Sequence, residues 1–257
     1  MACSSLVSTP VISPGMHHLL RLAFVVIVLT SCGANVVVHA EQAPSVATVN
    51  VEPQEVSNRT VVHVQGESCA ALVIGGGVVI APNLIVTNAH VIAGMKMVEV
   101  RFPGGELVPV EVVGFDANRD LGLLRIEQAG LVPAPFIRGE TAATGLLVAV
   151  DTEGDRSERL FEVVRRILAT GDNIYRAPGA SRRALELQMH VNRGESGSGI
   201  FDEYANLLGV VFAGSRREDG RSYAVTSGEI QDFVDESALN PTPVGPCLQM
   251  PPPEPDE

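Results

Sequence analysis

Short apolar or alternating segments run along the chain from Thr60 to Thr226, and turn-forming residues separate them. Six of these segments precede a break rich in Pro and Gly at residues 130–145, and six follow it. The predicted strands are Thr60–Gln65, Ala70–Ile80, Leu84–Thr87, Met97–Phe102, Leu107–Phe115 and Leu121–Ile126, then Leu146–Val150, Leu160–Ala169, Leu185–Val191, Gly199–Phe201, Leu207–Ala213 and Ser222–Thr226. Two sets of six short strands, with no helical period between them, favour an all-β fold of two antiparallel barrels or sandwiches.

Two local signals refine this pattern. Three consecutive glycines, Gly75–Gly77, lie inside the second predicted strand and predict a bulge or a tight bend there. Thr226 and Glu229 form a capping-box pattern ahead of an apolar stretch. We therefore expect one short C-terminal helix at about 227–236.

The first 40 residues are predicted to be an export signal or a membrane anchor. Arg21 precedes the apolar segment Leu22–Leu29, which gives the weakly charged and then hydrophobic regions of a secretory signal. Three outcomes stay open: cleavage after Ala40, lipidation of Cys32 in a lipobox-like context, or an uncleaved segment long enough to span a bilayer. Each outcome predicts an extracytoplasmic protein, either periplasmic or secreted.

A chain of 257 residues suits one all-β domain with flanking segments. After the export segment the predicted layout is a linker, one two-barrel domain and a Pro-rich acidic tail, at residues 41–57, 58–239 (barrels at about 58–130 and 145–226) and 240–257. Apart from Cys247, the composition of the tail predicts disorder.

The charge of the chain restricts its partners. The formal net charge is −12, and a form that starts at Glu41, and so lacks Arg21, would carry −13. Nucleic acids and anionic lipid surfaces need clustered positive charge. We expect no nucleic-acid partner, and membrane contact only through the N-terminal segment. No metal-ligand cluster is visible in the sequence, and no cofactor is expected.

Four cysteines occur, of which two lie in the N-terminal segment and two, Cys69 and Cys247, flank the predicted domain. A disulfide between Cys69 and Cys247 would tie the start of the domain to its end, and export favours its formation. Two unpaired thiols are the alternative.

Three short motifs carry the residue types that amide hydrolysis by serine requires. Ser196 lies in the Gly-flanked run Gly194–Gly199, His90 follows an apolar strand, and Asp120 directly precedes another. A serine nucleophile needs a base, a carboxylate that orients the base, and backbone N–H groups that bind the oxyanion. The N–H groups of Gly194 and Ser196 are the candidates for this oxyanion hole.

Each motif alone has a structural alternative. Ser196 could lie in an ordinary turn, His90 could be a core or strand-end residue, and Asp120 could be a turn carboxylate with Asp116 as its rival. Chain order separates the known catalytic arrangements. No histidine follows His190, which lies six residues before Ser196, and no aspartate precedes His90, so the order His, Asp, Ser is the one that remains.

In this order, Ile80–Gly94, Arg119–Ile126 and Gly194–Gly199 resemble the three signatures of bacterial trypsin-like serine proteases. The separations between the three candidate residues, 30 and then 76 positions, are similar to those of the HtrA type. The chain resembles in particular the actinobacterial periplasmic acid-resistance proteases (MarP-like), which also have a cysteine near the start of the domain and another near its end. The resemblance spans about residues 57–248.

The resemblance implies a chymotrypsin-like pair of barrels with the active site between them. It implies a serine-type endopeptidase with His90, Asp120 and Ser196 as its catalytic triad, acting on protein or peptide substrates. It also implies that the substrate pocket is formed by the segment before the nucleophile and by the strand after it, at His190 and at Phe212, Ala213 and Gly214. The last three carry no charge, so a small or apolar residue is expected before the scissile bond, while His190 is either a pocket residue or a structural strand residue.

The chain departs from the family pattern beside the nucleophile. Glu195 stands where the family usually has Asp or Asn, and Gly197-Ser198-Gly199 replaces the usual Gly-Gly-Pro or Gly-Ser-Pro. A longer carboxylate would disturb the oxyanion loop or pair with Arg193. The alternative function is therefore a catalytically impaired pseudoprotease that acts as an extracytoplasmic binding module.

Overall fold

The computed structural model describes residues 59–127, 131–136, 142–151 and 155–248. The predicted export segment, its processing sites at Ala40 and Cys32, and the predicted linker lie outside these ranges. No helix in the part of the chain that is described is long and apolar enough to cross a bilayer.

The first barrel is closed and antiparallel, with strand order β1-β2-β3-β6-β5-β4. Its strands are β1 (Val61–Ser68), β2 (Ala71–Ala81), β3 (Leu84–Thr87), β4 (Val98–Arg101), β5 (Leu107–Asp116) and β6 (Leu121–Arg125). The one-turn helix α1 (Ala89–Ile92) follows β3. β-Branched side chains such as Val62, Val79 and Ile85 fill the interior of this barrel, where the pleated surface suits their restricted rotamers.

The second barrel is also closed, with strand order β10-β11-β12-β9-β8-β7. Its elements are β7 (Thr144–Val150), β8 (Arg156–Asp172), β9 (Pro178–Gln188), β10 (Gly199–Phe201), β11 (Leu207–Gly214) and β12 (Arg221–Thr226), followed by α2 (Ser227–Glu236). The Thr226 hydroxyl accepts the N–H of Glu229 at 3.2 Å, so the predicted helix cap is present. The predicted all-β fold, with two six-stranded barrels and a short C-terminal helix, is confirmed.

One apolar cluster holds the two barrels together. It combines Val86 and Leu121 of the first barrel, Val148 and Val210 of the second, and Phe233 of α2, all of them buried. Because burial of apolar area is the main favourable contribution to folding, this cluster fixes the groove between the barrels as well as stabilising each of them.

The boundaries of strands β8 and β9 differ from the predicted ones. They were expected at Leu160–Ala169 and Leu185–Val191, whereas they occupy Arg156–Asp172 and Pro178–Gln188. Charged residues occupy many positions of this hairpin, and much of β8 is exposed, so its ends carry little apolar periodicity.

The predicted bulge at Gly75–Gly77 is wrong. All three glycines pair with β1 in an uninterrupted register, and the irregularity of β2 lies further on, between Val79 and Ala81. The glycines instead allow other segments to approach the strand. A Cβ atom at Gly76 would lie 2.5 Å from Ser198 Oγ, closer than real Cβ contacts allow.

The C-terminal segment 240–248 is packed against the first barrel and the turn between β8 and β9, so the expectation of disorder is wrong for these residues. Cys247 forms a disulfide with Cys69, with 5.7 Å between their Cα atoms, and the unpaired-thiol alternative does not hold. The Thr242 N–H donates to Val112 O at 2.9 Å, and the Tyr175 hydroxyl donates to Pro246 O at 3.1 Å. Residues 249–257 of the predicted tail lie outside the described ranges.

Candidate active site

His90 and Asp120 meet at one end of the first barrel. His90 lies in α1, directly after β3, and Asp120 directly precedes β6, the strand paired with β3. The His90 Nδ1 atom lies 2.8 Å from Asp120 Oδ2 and 3.0 Å from Oδ1, while the backbone N–H of His90 donates to Oδ1 at 2.9 Å. The carboxylate therefore holds both the imidazole ring and the backbone that carries it.

The backbone of Asp120 is in the left-handed region, with φ of 58°. Aspartate tolerates this conformation better than most residues, and the Asn88 side chain donates to Asp120 O at 2.9 Å. The rival carboxylate, Asp116, instead accepts the backbone N–H groups of Asn118 and Arg119 and so stabilises the preceding turn.

Ser196 lies on a tight loop between β9 and β10. The flanking glycines, Gly194 and Gly197, have φ of 89° and 88°, which a side chain would strain. The loop contacts the first barrel directly, because the Gly76 N–H donates to Ser196 O at 2.7 Å. A Cβ atom at Gly75 would lie 2.8 Å from this oxygen and 2.7 Å from the side chain of Val91, the residue after His90. The lack of side chains at Gly75 and Gly76 therefore lets the Ser196 loop lie beside α1.

The imidazole of His90 remains accessible from the groove, since 27% of its side chain is exposed. Nδ1 faces Asp120, which leaves Nε2 for a hydroxyl. Among the residues described, no hydrogen bond joins Ser196 Oγ to His90. Catalytic hydrogen bonds are often long in proteins without substrate and shorten in the substrate complex.

Glu195 is nearly buried, with 9% of its surface exposed, and its carboxylate holds the loop from within. Arg159 Nη2 of β8 donates to it, and the Asn192 backbone N–H and side-chain amide donate at 2.7 and 3.2 Å. The expected pairing of Glu195 with Arg193 is wrong, because Arg159 is the partner. Within the described ranges, the N–H groups of Gly194 and Ser196, on either side of Glu195, have no acceptor.

The protonation of His90 depends on three influences. Burial lowers its pKa, the negative charge and hydrogen bond of Asp120 raise it, and the positive charge of Arg182 lowers it again. The balance leaves the pKa of His90 above the ordinary value of 6.5.

The four expected pocket residues lie in different environments. His190 is largely exposed, and its Nδ1 lies 3.6 Å from the Asp219 carboxylate. Phe212 lies at an irregularity of β11, and its ring packs against the Arg182 guanidinium and Tyr223. Ala213 and Gly214 continue β11 and pair with β12.

Arg159 and Arg182 were missed by the sequence analysis. Both lie on the β8–β9 hairpin, where 7 of the 18 basic residues of the chain occur, and nothing in their spacing singles them out. Within the described residues, no group of three or more His, Cys, Asp or Glu side chains is arranged to hold a metal.

Comparisons with known proteins agree with this geometry. The family model described as "trypsin-like peptidase domain" matches residues 75–210, more than half of the chain. The serine protease Rv3671c of Mycobacterium tuberculosis is 28% identical over 214 residues, which cover 80% of this chain and 53% of that protein. A Do-like HtrA serine protease of Lactococcus lactis is 24% identical over 168 residues, 59% of this chain and 40% of that protein.

The fold recurs in solved structures. The crystal structure of the active form of the Rv3671c protease gives a TM-score of 0.72 at 24% identity, over 83% of this chain and 100% of that chain. The full Rv3671c protein is longer, so the chain spans about half the length of this curated relative.

Proposed function

Since the chain belongs to the trypsin-like peptidase family, we propose that it is an exported serine endopeptidase with His90, Asp120 and Ser196 as its catalytic triad. The observation that carries the proposal is the 2.8 Å contact between His90 Nδ1 and Asp120, made at the groove edge where the Ser196 loop contacts β2. Family membership and the arrangement His, Asp, Ser across two barrels support the same conclusion.

The reaction follows from the positions of these groups. Ser196 Oγ attacks the scissile carbonyl carbon while its proton passes to His90 Nε2, and Asp120 keeps Nδ1 protonated. The N–H groups of Gly194 and Ser196 stabilise the negative oxygen of the tetrahedral intermediate. The protonated imidazole then gives its proton to the leaving amine, and water releases the acyl group in the reverse sequence.

The rate is expected to depend on pH through His90, which must be neutral to act as a base. Because the pKa of His90 lies above its ordinary value, activity is expected to rise with pH through a midpoint above 6.5. A flat rate across this range would contradict the role of His90 as base.

The test uses a fluorophosphonate probe on the folded protein. Wild type is expected to be labelled, and Ser196→Ala is expected to lose all labelling and all casein cleavage while keeping its fold. Ser198→Ala is the matched control, because Ser198 Oγ is buried without a hydrogen-bond partner among the described residues and should leave labelling unchanged. Persistent labelling of Ser196→Ala would refute the assignment, and a folded but unlabelled wild type would favour the binding-module alternative.

The proposal extends to substrate and location. Protein and peptide chains are the proposed substrates, with a small or apolar residue before the scissile bond, since Ala213 and Gly214 offer no charge to the groove. Export is proposed from the apolar segment Leu22–Leu29. Cleavage-site sequencing of digested casein tests the first statement, and fractionation of cells that express the full chain tests the second.

A further inference from the structure

Arg182 approaches Asp120 Oδ2, the carboxylate oxygen that also contacts the imidazole of His90. It lies on β9 with 8% of its surface exposed, and its Nη1 atom is 3.7 Å from Asp120 Oδ2. The guanidinium carbon lies 5.1 Å from the centre of the Phe212 ring, and Nη2 donates to Asp172 O at 3.5 Å. The guanidinium is thus stacked on a ring and tied to the end of its own hairpin.

That hairpin is also attached to the turn that carries Asp120. The Ile174 N–H donates to Ala117 O at 3.3 Å, and the Asn173 side chain donates to Asn118 Oδ1 at 3.0 Å. The position of Arg182 relative to Asp120 is therefore set by several contacts outside the ion pair.

Asp120 needs a permanent positive neighbour. It is 3% exposed, and burial of a carboxylate is costly unless the charge is paired. His90 is neutral whenever it is ready to act as a base, so it supplies no charge at that stage. Among the described residues, Arg182 is the one permanent cation within 4 Å of the Asp120 carboxylate.

We propose that Arg182 is a positioning residue, which holds the Asp120 carboxylate against His90 from the second barrel. The inference rests on the proposed triad and adds a residue to it. Arg182 also opposes protonation of the imidazole through its charge, whereas Asp120 favours protonation; these two are the charged groups that act on His90. The carboxylate of the adjacent loop, Glu195, is paired with Arg159.

The experiment compares pH profiles of kcat/KM for wild type, Arg182→Met and Arg182→Lys. Loss of one charge-assisted interaction should lower kcat/KM of Arg182→Met by about 10- to 100-fold. The acidic limb of the pH profile of Arg182→Met, where kcat/KM rises with pH, should move to higher pH because the cation no longer opposes protonation of His90. Arg182→Lys keeps the charge and should restore the position of the limb. Arg183→Met is the matched control, because the neighbouring Arg183 pairs with Glu229 and Asp232 and should not move the limb.

A purely structural role would lower thermal stability in Arg182→Met and Arg182→Lys alike and leave the limb where it is in wild type. That result would overturn the proposal. If Arg182→Met does not fold, Arg182→Gln supplies the uncharged variant and retains two donors.

A second measurement separates this inference from the proposed function. This measurement needs no activity, so it is made in the Ser196→Ala background. The His90 imidazole is titrated by NMR with Arg182 present and with Arg182→Met. The loss of a signal in His90→Ala identifies which signal belongs to His90. The midpoint should rise when the cation is removed. An unchanged midpoint would refute the role of Arg182 even if the enzyme is active. If the titration midpoint of His90 rises in Arg182→Met but the wild type is not labelled by the fluorophosphonate probe, the role of Arg182 stands and only the peptidase function is refuted.

Discussion

Replacement of Arg159 tests how the loop that carries Ser196 is held in place. Among the described residues, Arg159 is the charged partner of the Glu195 carboxylate, so Arg159→Met leaves it with the two donors of Asn192. Glu195 is 9% exposed, so solvent cannot fully replace the guanidinium. Since Glu195 lies between Gly194 and Ser196, the N–H groups proposed to bind the oxyanion should lose their fixed positions.

The magnitude follows from the exposure of the two partners. A hydrogen bond to a charged group contributes about 1.5–3 kcal/mol. The Arg159 side chain is 32% exposed, which places its contribution toward the lower part of that range, at about 2 kcal/mol. If the loop order depends on this pair, kcat/KM should fall by up to about 30-fold, the ratio that corresponds to this free energy. Glu195→Gln removes the buried charge, so it should rescue part of the loss in Arg159→Met.

The assay is a double-mutant cycle of Arg159→Met and Glu195→Gln, read by urea unfolding and by kcat/KM on a peptide substrate. A coupling free energy of about 2 kcal/mol is expected in both readouts. Arg166→Met, on an exposed position of the same strand, is the control and should change neither. Additivity of the two single changes within about 0.5 kcal/mol would refute the reasoning.

Three further predictions concern the disulfide, a buried carboxylate and a glycine. Cys247→Ser opens a bridge that closes 178 residues of chain, so the free energy of unfolding should fall by about 5 kcal/mol in urea denaturation; an unchanged midpoint would contradict this. Burial raises the pKa of Glu229, but its arginine partners lower it by more, so Glu229→Gln should cost about 2 kcal/mol at pH 7. Because a depressed pKa stabilises the fold above the unfolded value, this cost should vanish in thermal melts as the pH falls below 4.5, and a constant difference would contradict it. Gly75→Ala should abolish probe labelling in a folded protein, since its Cβ would lie 2.8 Å from the carbonyl oxygen of Ser196, whereas Gly171→Ala, with open space around it, should be labelled like wild type.

The strand pattern could be predicted wherever one face of a strand is buried. Leu84–Thr87 and Gly199–Phe201 have the bounds expected from their apolar residues, and the helix cap at Thr226 follows from a local hydrogen bond. The predicted boundaries of β8 and β9 were wrong because the ends of this hairpin face solvent and carry no apolar alternation. The segment 240–248 was missed for a different reason: a Pro-rich segment has no periodicity, and a disulfide and backbone hydrogen bonds hold it in place.

Motif order in the sequence was sufficient to nominate His90, Asp120 and Ser196, because chemistry restricts which residue types and which order can serve a serine nucleophile. The rivalry between Asp120 and Asp116 ends in the structure, where the Asp120 carboxylate contacts the imidazole and Asp116 instead accepts a backbone N–H of its own turn. The partners of Glu195 and Asp120 also required it. Arg159 and Arg182 reach these carboxylates across strand and barrel boundaries, and such long-range pairing follows from the packing of the two barrels rather than from any local pattern of residues.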